Sequence, residues 1–311
     1  MKKSIIVVLY LVILSTIACN RLNMNNSWEI IGTTLYIYSD EGVVSLVEDK
    51  TKIKDCEDYE TVIFGDSVTE IPDSFFANNP NITSVQIGNG IITIGNKAFY
   101  SCVQLSAIKW SNSLRHIGTS AFENTAIIEL SLPVGLEKID DFAFSNCSML
   151  LSCSIPNTVK EMGCNFTDCT SLQQVQLSSS LEELADYSLS GCTSLRQIWI
   201  PSSIRILGYD VLSDSGVERI IIEGEIDEIR SLRTSCMPRL KQIVFCSKPP
   251  KNNEGQKNYF GLINNSISDV KVYCTKTNSN EFQITNGLWN GFSIITVDDL
   301  SEFCDACRGD G

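Results

Sequence analysis

The chain has 311 residues, with 24 basic against 37 acidic side chains, a formal charge of −13 and one histidine. A polyanion would have to bind against that field, which argues against nucleic acid as a partner. His116 alone cannot supply the acid–base pair or ligand set of an ordinary active or metal site, so the composition points to a binding or structural protein without cofactor.

In chain order, residues 1–18 read as a signal peptide. Lys2 and Lys3 form a basic start, Ile5 to Leu14 is almost wholly apolar, and Ser15 to Ala18 leads into Cys19. The apolar run is well short of the ~20 residues of a membrane-spanning helix and suits a cleaved export signal. Cys19 directly after Ala18 resembles the lipidation site of bacterial lipoproteins, although Thr16 stands where that pattern prefers leucine. An acylated Cys19 anchors the chain to a membrane at ~0.8 kcal/mol per buried methylene. Ordinary cleavage, leaving a free Cys19 thiol, is the alternative. Residues 19–26, crowded with Asn20, Asn23, Asn25 and Asn26, form a polar tether. Residues 27–61 are expected to cap the first repeat, with Trp28 to Val47 as a hairpin turning at Asp40-Glu41-Gly42.

Residues 62–245 repeat. Ile71, Ile94, Ile117, Ile139, Met162, Leu184, Leu207 and Ile229 stand 22 or 23 residues apart. Five positions after most of them come Phe76, Phe99, Phe122, Phe144, Leu189 and Leu212, while Phe166 arrives one residue early. Triplets of L-x-x-L-x-L type, such as Ile82/Val85/Ile87 and Leu195/Ile198/Ile200, keep the same period. A coil this short cannot bury its apolar row alone, so about eight such coils predict a stack. The expected fold is a right-handed repeat solenoid, mainly β with short turns and 3-10 or helical segments. The last two apolar residues of each triplet point inward and the one between them outward, giving a parallel sheet with one exposed residue per rung. The phenylalanine row fills the far side. Pro133, Pro156 and Pro201 fall just past the strands, where a missing N–H costs no ladder bond.

The strand, the turn, a second short strand ending in Ile-Gly, then Ala-Phe and a cysteine three residues on resemble the BspA-like leucine-rich repeats of bacterial surface proteins. Ile94-Gly95, Ala98-Phe99 and Cys102 carry the pattern best, with Ile139, Ala143-Phe144 and Cys147 close behind. The likeness covers roughly residues 62–300. It includes a C-terminal cap over 246–300, with Pro249-Pro250, a strand at Val270 to Tyr273, and Trp289 to Ile295. Cys274-Thr275 stands where the family usually has Val-Pro. The resemblance implies a secreted or surface-anchored protein used in adhesion or protein binding, and no catalysis.

Cys102, Cys147, Cys169 and Cys192 share one phase with Asn79, Thr125 and Ser215, so they read as small fillers inside the solenoid. Stacked coils would also permit a Cys147–Cys169 or Cys169–Cys192 disulfide in an oxidising compartment. Cys304 and Cys307 lack the partners of a zinc or redox site. Arg115, Glu137, Lys160, Glu182, Arg205 and Asp227 alternate in sign at one outward slot, which predicts cross-coil pairing on a solvated face. His116, beside Lys138 of the next coil, is expected to be an exposed surface residue.

The outward residue of the main strand runs Gln86, Lys109, Ser131, Ser154, Gln176, Trp199, Ile221 and Val244. Lys109 and Gln176 belong to a polar ladder open to a partner. Trp199, Ile221 and Val244 form either a partner-binding centre or a surface covered by the C-terminal cap. Residues 301–311 are expected to be a flexible tail, in which Arg308-Gly309-Asp310 looks like the tripeptide by which adhesive proteins engage integrins. Together these features predict a non-catalytic lipoprotein of the bacterial outer-membrane surface. It would bind a protein or glycan through its repeats, in adhesion or host interaction. The alternative is an accessory subunit of an envelope complex, with the apolar rungs against a permanent partner.

Overall fold

The computed structural model describes residues 27–48, 59–233, 236–248, 259–261, 270–276, 278–281, 293–298 and 300. The signal peptide, Cys19 with its tether, Cys304, Cys307 and Arg308-Gly309-Asp310 lie outside the described residues. No described helix is long and apolar enough to cross a membrane.

Strands β1 (Trp28–Ile31) and β2 (Thr34–Ser39) pair antiparallel around a two-residue turn, Gly32-Thr33, in which Gly32 takes φ +61°. The turn expected at Asp40-Glu41-Gly42 is instead the first turn of a helix, α1 (Asp40–Glu48). Asp40 and Glu41 suit the positive end of its dipole, and Val43 and Leu46, three apart, reach the core together. The hairpin does not close on itself. β2 pairs in parallel with β3 (Thr61–Ser67) and so joins the stack.

Each coil then supplies a main strand and a second strand, which is the shorter of the two in the coils up to β14. The main strands are β3, β5 (Ser84–Gln86), β7 (Ala107–Lys109), β9 (Glu129–Ser131), β11 (Ser152–Ser154), β13 (Gln174–Gln176), β15 (Gln197–Ile200), β17 (Arg219–Ile222) and β19 (Gln242–Phe245). The second strands are β4 (Glu70–Ile71), β6 (Thr93–Ile94), β8 (His116–Ile117), β10 (Lys138–Ile139), β12 (Glu161–Met162), β14 (Glu183–Leu184), β16 (Ile206–Tyr209), β18 (Glu228–Arg233) and β20 (Tyr259–Gly261). All coil-to-coil pairings are parallel, and from β3 to β19 they keep the register that the 22- and 23-residue spacing dictates. The stack also outruns the predicted coils: β21 (Lys271–Thr275) and β22 (Ser293–Val297) add two further rungs. The segment read as a separate cap therefore continues the ladder.

Inside, Phe76, Phe99, Phe122, Phe144 and Phe166 stack ring on ring, with centroids 5.2–6.1 Å apart and planes within 17°. Such contacts contribute roughly 0.5–1.5 kcal/mol per pair beyond the area they bury. The backbone around each ring forms a third ladder. The N–H groups of Phe76, Phe99 and Phe122 donate to the carbonyls of Ala98, Ala121 and Ala143 in the next coil, each at 2.8 Å. Turning alternate N–H groups that way requires left-handed residues two before and two after the ring. The later slot holds Asn78, Asn124, Asn146, Asp168, Gly191 and Asp214, types that tolerate positive φ, and Ser101 in the coil of Phe99. Phe142 and Tyr187 occupy the earlier slot against their own preference.

The early arrival of Phe166 has a local remedy. The fifth coil lacks one residue before its ring, and Asn165, fully buried, fills the break with its side chain. Asn165 Oδ1 accepts the Ala143 N–H at 2.9 Å, in place of a backbone carbonyl, and Nδ2 donates to Gly163 O at 3.0 Å. Asn165→Ala strands both groups and is expected to cost about 2–4 kcal/mol in urea unfolding. A loss below about 0.5 kcal/mol would show that the amide does not hold this turn.

Candidate functional site

The main sheet presents two outward lanes. One runs Ser84, Ala107, Glu129, Ser152, Gln174 and Gln197, the other Gln86, Lys109, Ser131, Ser154, Gln176 and Trp199. Between β7 and β13 only Lys109 and Glu129 on these lanes are charged. Lys109 Nζ donates to Gln86 Oε1 at 3.4 Å, and Ser154 Oγ to Gln176 Oε1 at 3.2 Å. Short serine side chains leave a shallow depression of about 410 Å³ over β9, β11 and β13, lined by Glu129, Ser131, Ser152, Ser154, Gln174 and Gln176.

An apolar rim that the sequence reading missed borders this depression. Ile128, Leu151 and Met149 are 43%, 39% and 54% exposed. Ile128 and Leu151 are neighbours across coils, joined by the Leu151 N–H to Ile128 O bond of 2.8 Å. The signal was present: the slot before the main strand is polar in the other coils (Thr83, Ser106, Gln173, Arg196, Glu218, Lys241) and apolar only in these two.

The second-strand side is built differently. Two of the alternating neighbours pair, Arg115 with Glu137 at 3.6 Å and Arg205 with Asp227 at 2.7 Å, whereas Glu137 with Lys160 and Glu182 with Arg205 do not, although their strands are joined. Lys160 and Glu182 do not pair, because the second-strand ladder is interrupted between β12 and β14. An open groove of about 870 Å³ marks that interruption. Arg230 reaches back two coils to Glu183 at 2.6 Å and touches Asp186 at 3.6 Å. His116 lies beside Lys138 in register, yet it is half-buried and its Nε2 is 2.7 Å from Asp140 Oδ2. Lys138 shares that carboxylate and also reaches Glu161 at 3.5 Å. Asp140 was legible as an oddity, since it stands where Gly95, Gly118, Gly163 and Gly208 follow their strands.

The cysteine column settles as thiols: Cys102, Cys147, Cys169 and Cys192 are unbridged and buried. Each donates to the carbonyl of a phenylalanine in the preceding coil, Phe76, Phe122, Phe144 and Phe166, at 3.1–3.3 Å. Burial pushes the Cys102 and Cys192 thiols up to about 12.

The two readings of the apolar rungs are also resolved. Ile221 and Val244 are fully buried in a small cluster with Leu300, against which Trp199, Tyr273 and Val297 pack. This corrects the expectation of an exposed partner-binding centre at Trp199, Ile221 and Val244. Trp199 alone keeps part of its surface, at the border of the polar lane.

The model of the BspA type leucine-rich repeat region, in 6 copies, matches residues 69–166 and 163–288. The chain belongs to the BspA-type leucine-rich repeat family. Similar solved structures include a leucine-rich repeat protein of Bacteroides ovatus, 17% identical over 90% of this chain and 87% of that one, TM-score 0.47. The T. pallidum leucine-rich repeat protein is 22% identical over 66% of this chain and 82% of its own, TM-score 0.43. A leucine-rich cell surface protein of Faecalibacterium prausnitzii is 18% identical over 67% and 83%, TM-score 0.32. No curated protein matches the chain.

The thiol column yields a pH prediction. A thiol whose folded value is raised from the usual 9.0 to about 12 stays protonated longer in the folded chain. The stability it lends is therefore complete below pH 9 and is lost as pH rises towards 12. Urea midpoints should fall across that window, and less so in Cys192→Ser. Thiol-reactive reagents at pH 8 should label the native column at least about a hundredfold more slowly than the unfolded chain. Rapid native labelling of Cys102 or Cys192 would contradict the packing.

Proposed function

We propose that the chain is an exported lipoprotein, acylated at Cys19 and held on the outer surface of a bacterial outer membrane. On this reading it binds a protein partner, in adhesion or host contact, through the main-sheet face from β7 to β13. The supporting observation is the contrast between the two sides. A protein of net charge −13 keeps the outward lanes of these strands almost free of charge and borders them with exposed Ile128, Met149 and Leu151. Its second-strand side is dense with ion pairs. Depletion of charge with adjoining apolar surface is the composition of an interface centre. Lys109 and Gln176 bound the patch and offer directional hydrogen bonds, while Ser131 and Ser154 let a partner approach the backbone. A surface already rigid loses little freedom on binding.

Arg308, Gly309 and Asp310 supply a second, integrin-type contact in this proposal, and Asp310→Glu separates its contribution from that of the sheet. The envelope-subunit alternative needs open apolar rungs at Ile221 and Val244, and these are covered from within the chain by Leu300.

Two measurements test the proposal. Protease shaving of intact cells should release fragments of the repeats, and protection until the envelope is opened would overturn the surface placement. Ser154→Arg, which sets a long charge in the middle of the patch, should weaken adhesion of displaying cells about tenfold or more, a loss of ~1.4 kcal/mol. Lys160→Glu on the other side should leave it unchanged. Equal adhesion by a folded Ser154→Arg variant would remove this face from the proposal.

A further inference from the structure

Among the described residues, the last rung of the stack is an edge strand: the main sheet ends on β22, Ser293–Val297, which pairs on one side with β21 and on the other with nothing. The Lys276 N–H donates to Val297 O at 3.0 Å, so the polar groups of Val297 face β21. In a parallel ladder the direction alternates. Those of Ser293 and Ile295 therefore also face β21, and the N–H and C=O of Ile294 and Thr296 point away from the sheet.

Edge strands are ordinarily blunted by charge, proline, a bulge or a cover. Ser-Ile-Ile-Thr-Val has no charge and no proline, and its register with β21 is unbroken. The other end of the same stack finishes differently, on a short strand that runs antiparallel and carries Glu29.

We propose that β22 pairs antiparallel with β22 of a second copy, joining two solenoids end to end about a two-fold axis at Ile295. The sequence of the strand fits its own reverse. Ile294 and Thr296 face Thr296 and Ile294 of the other copy as hydrogen-bonded pairs, giving four backbone bonds. Ile295 meets its counterpart as the closer, non-hydrogen-bonded pair, with Cα atoms about 4.5 Å apart. Beside the strand lies a groove of about 540 Å³ lined by Lys241, Gln242, Val270, Lys271, Tyr273, Ser293 and Ile295, which leaves open space next to the contact. The contact is isologous and therefore closes at two copies. Two chains of charge −13 repel, and β22 itself brings no charge to the contact. Association is thus expected to strengthen with salt, which screens the repulsion.

The test is sedimentation of the full chain over a concentration series, with Thr296→Pro as the variant. Proline there removes an N–H that points away from β21, a position an edge strand tolerates. The proposal expects a concentration-dependent dimer that tightens with added salt and weakens at least tenfold in Thr296→Pro. Hydrogen exchange supplies a second readout, independent of that variant's folding. Protection of the Ile294 and Thr296 amides should rise with protein concentration. A chain monomeric at every concentration would overturn the proposal. So would a dimer that a folded Thr296→Pro leaves intact, or amide protection that ignores concentration, which would mean that another part of the same chain covers the edge.

Discussion

The structure rests on hydrogen bonds between coils. A coil of 22 or 23 residues encloses too little to satisfy its own backbone or bury its own apolar row, so donors and apolar side chains must find the next coil. That requirement propagates into details that look unrelated. Glycine follows the second strand because a Cβ on Gly95 would lie 2.6 Å from Asp73 Oδ1 and 2.7 Å from Asp73 N in the coil before. The same Asp73 carboxylate accepts the Asn96 N–H at 2.6 Å, and Asn96, Asp141 and Asp186 do likewise for Thr119, Cys164 and Tyr209. Asparagine and aspartate recur two residues after the ring because the backbone there is left-handed. One constraint, close stacking, selects the glycine, the acceptor beside it, the left-handed residue and the phenylalanine.

Meeting that demand with backbone bonds and buried rings frees the outward side chains to differ by face. Along the second strands they hold the coils together by charge, in pairs each worth at most ~1 kcal/mol when exposed. Along β7 to β13 the coils are linked only by uncharged or single-charge hydrogen bonds such as Ser154 to Gln176, and apart from Lys109 and Glu129 the outward residues are serine, glutamine and alanine with an apolar border. A face left almost uncharged in an acidic protein is where the proposal places a partner. The sheet is interrupted between β7 and β9 and again between β13 and β15, so that the three serine- and glutamine-bearing strands form a separate block. Trp110, where most coils carry leucine or isoleucine, packs edge-on against Phe122 at 5.4 Å beside the first interruption.

Most of the solenoid was legible because stacking writes itself into the sequence at a fixed period: the inward triplets, the ring row and the cysteine slot all read correctly. Single events without a period were not legible. Nothing repeats α1, so its two acidic residues and glycine read as a hairpin turn. Asn165 looks like any turn asparagine until the missing residue beside it is counted. The covering of Ile221 and Val244 depends on Leu300, dozens of residues away and outside the repeat, so the sequence left two outcomes open. Of the candidate site, the polar lane with Lys109 and Gln176 was visible. Ile128 and Leu151 were overlooked because attention to the apolar positions of the triplet hides the residue after the first of them, and Met149 because it falls just before a triplet.

The division of labour between the two sides can be tested most directly by position-specific photo-crosslinking on intact cells. A photoreactive side chain placed at Ser154 reports on the uncharged main-sheet face, and one at Glu161 on the ion-paired side. The account predicts that a partner is captured from position 154 and none from 161. Capture from 161 with none from 154 would contradict it and move the contact to the charged side of the solenoid.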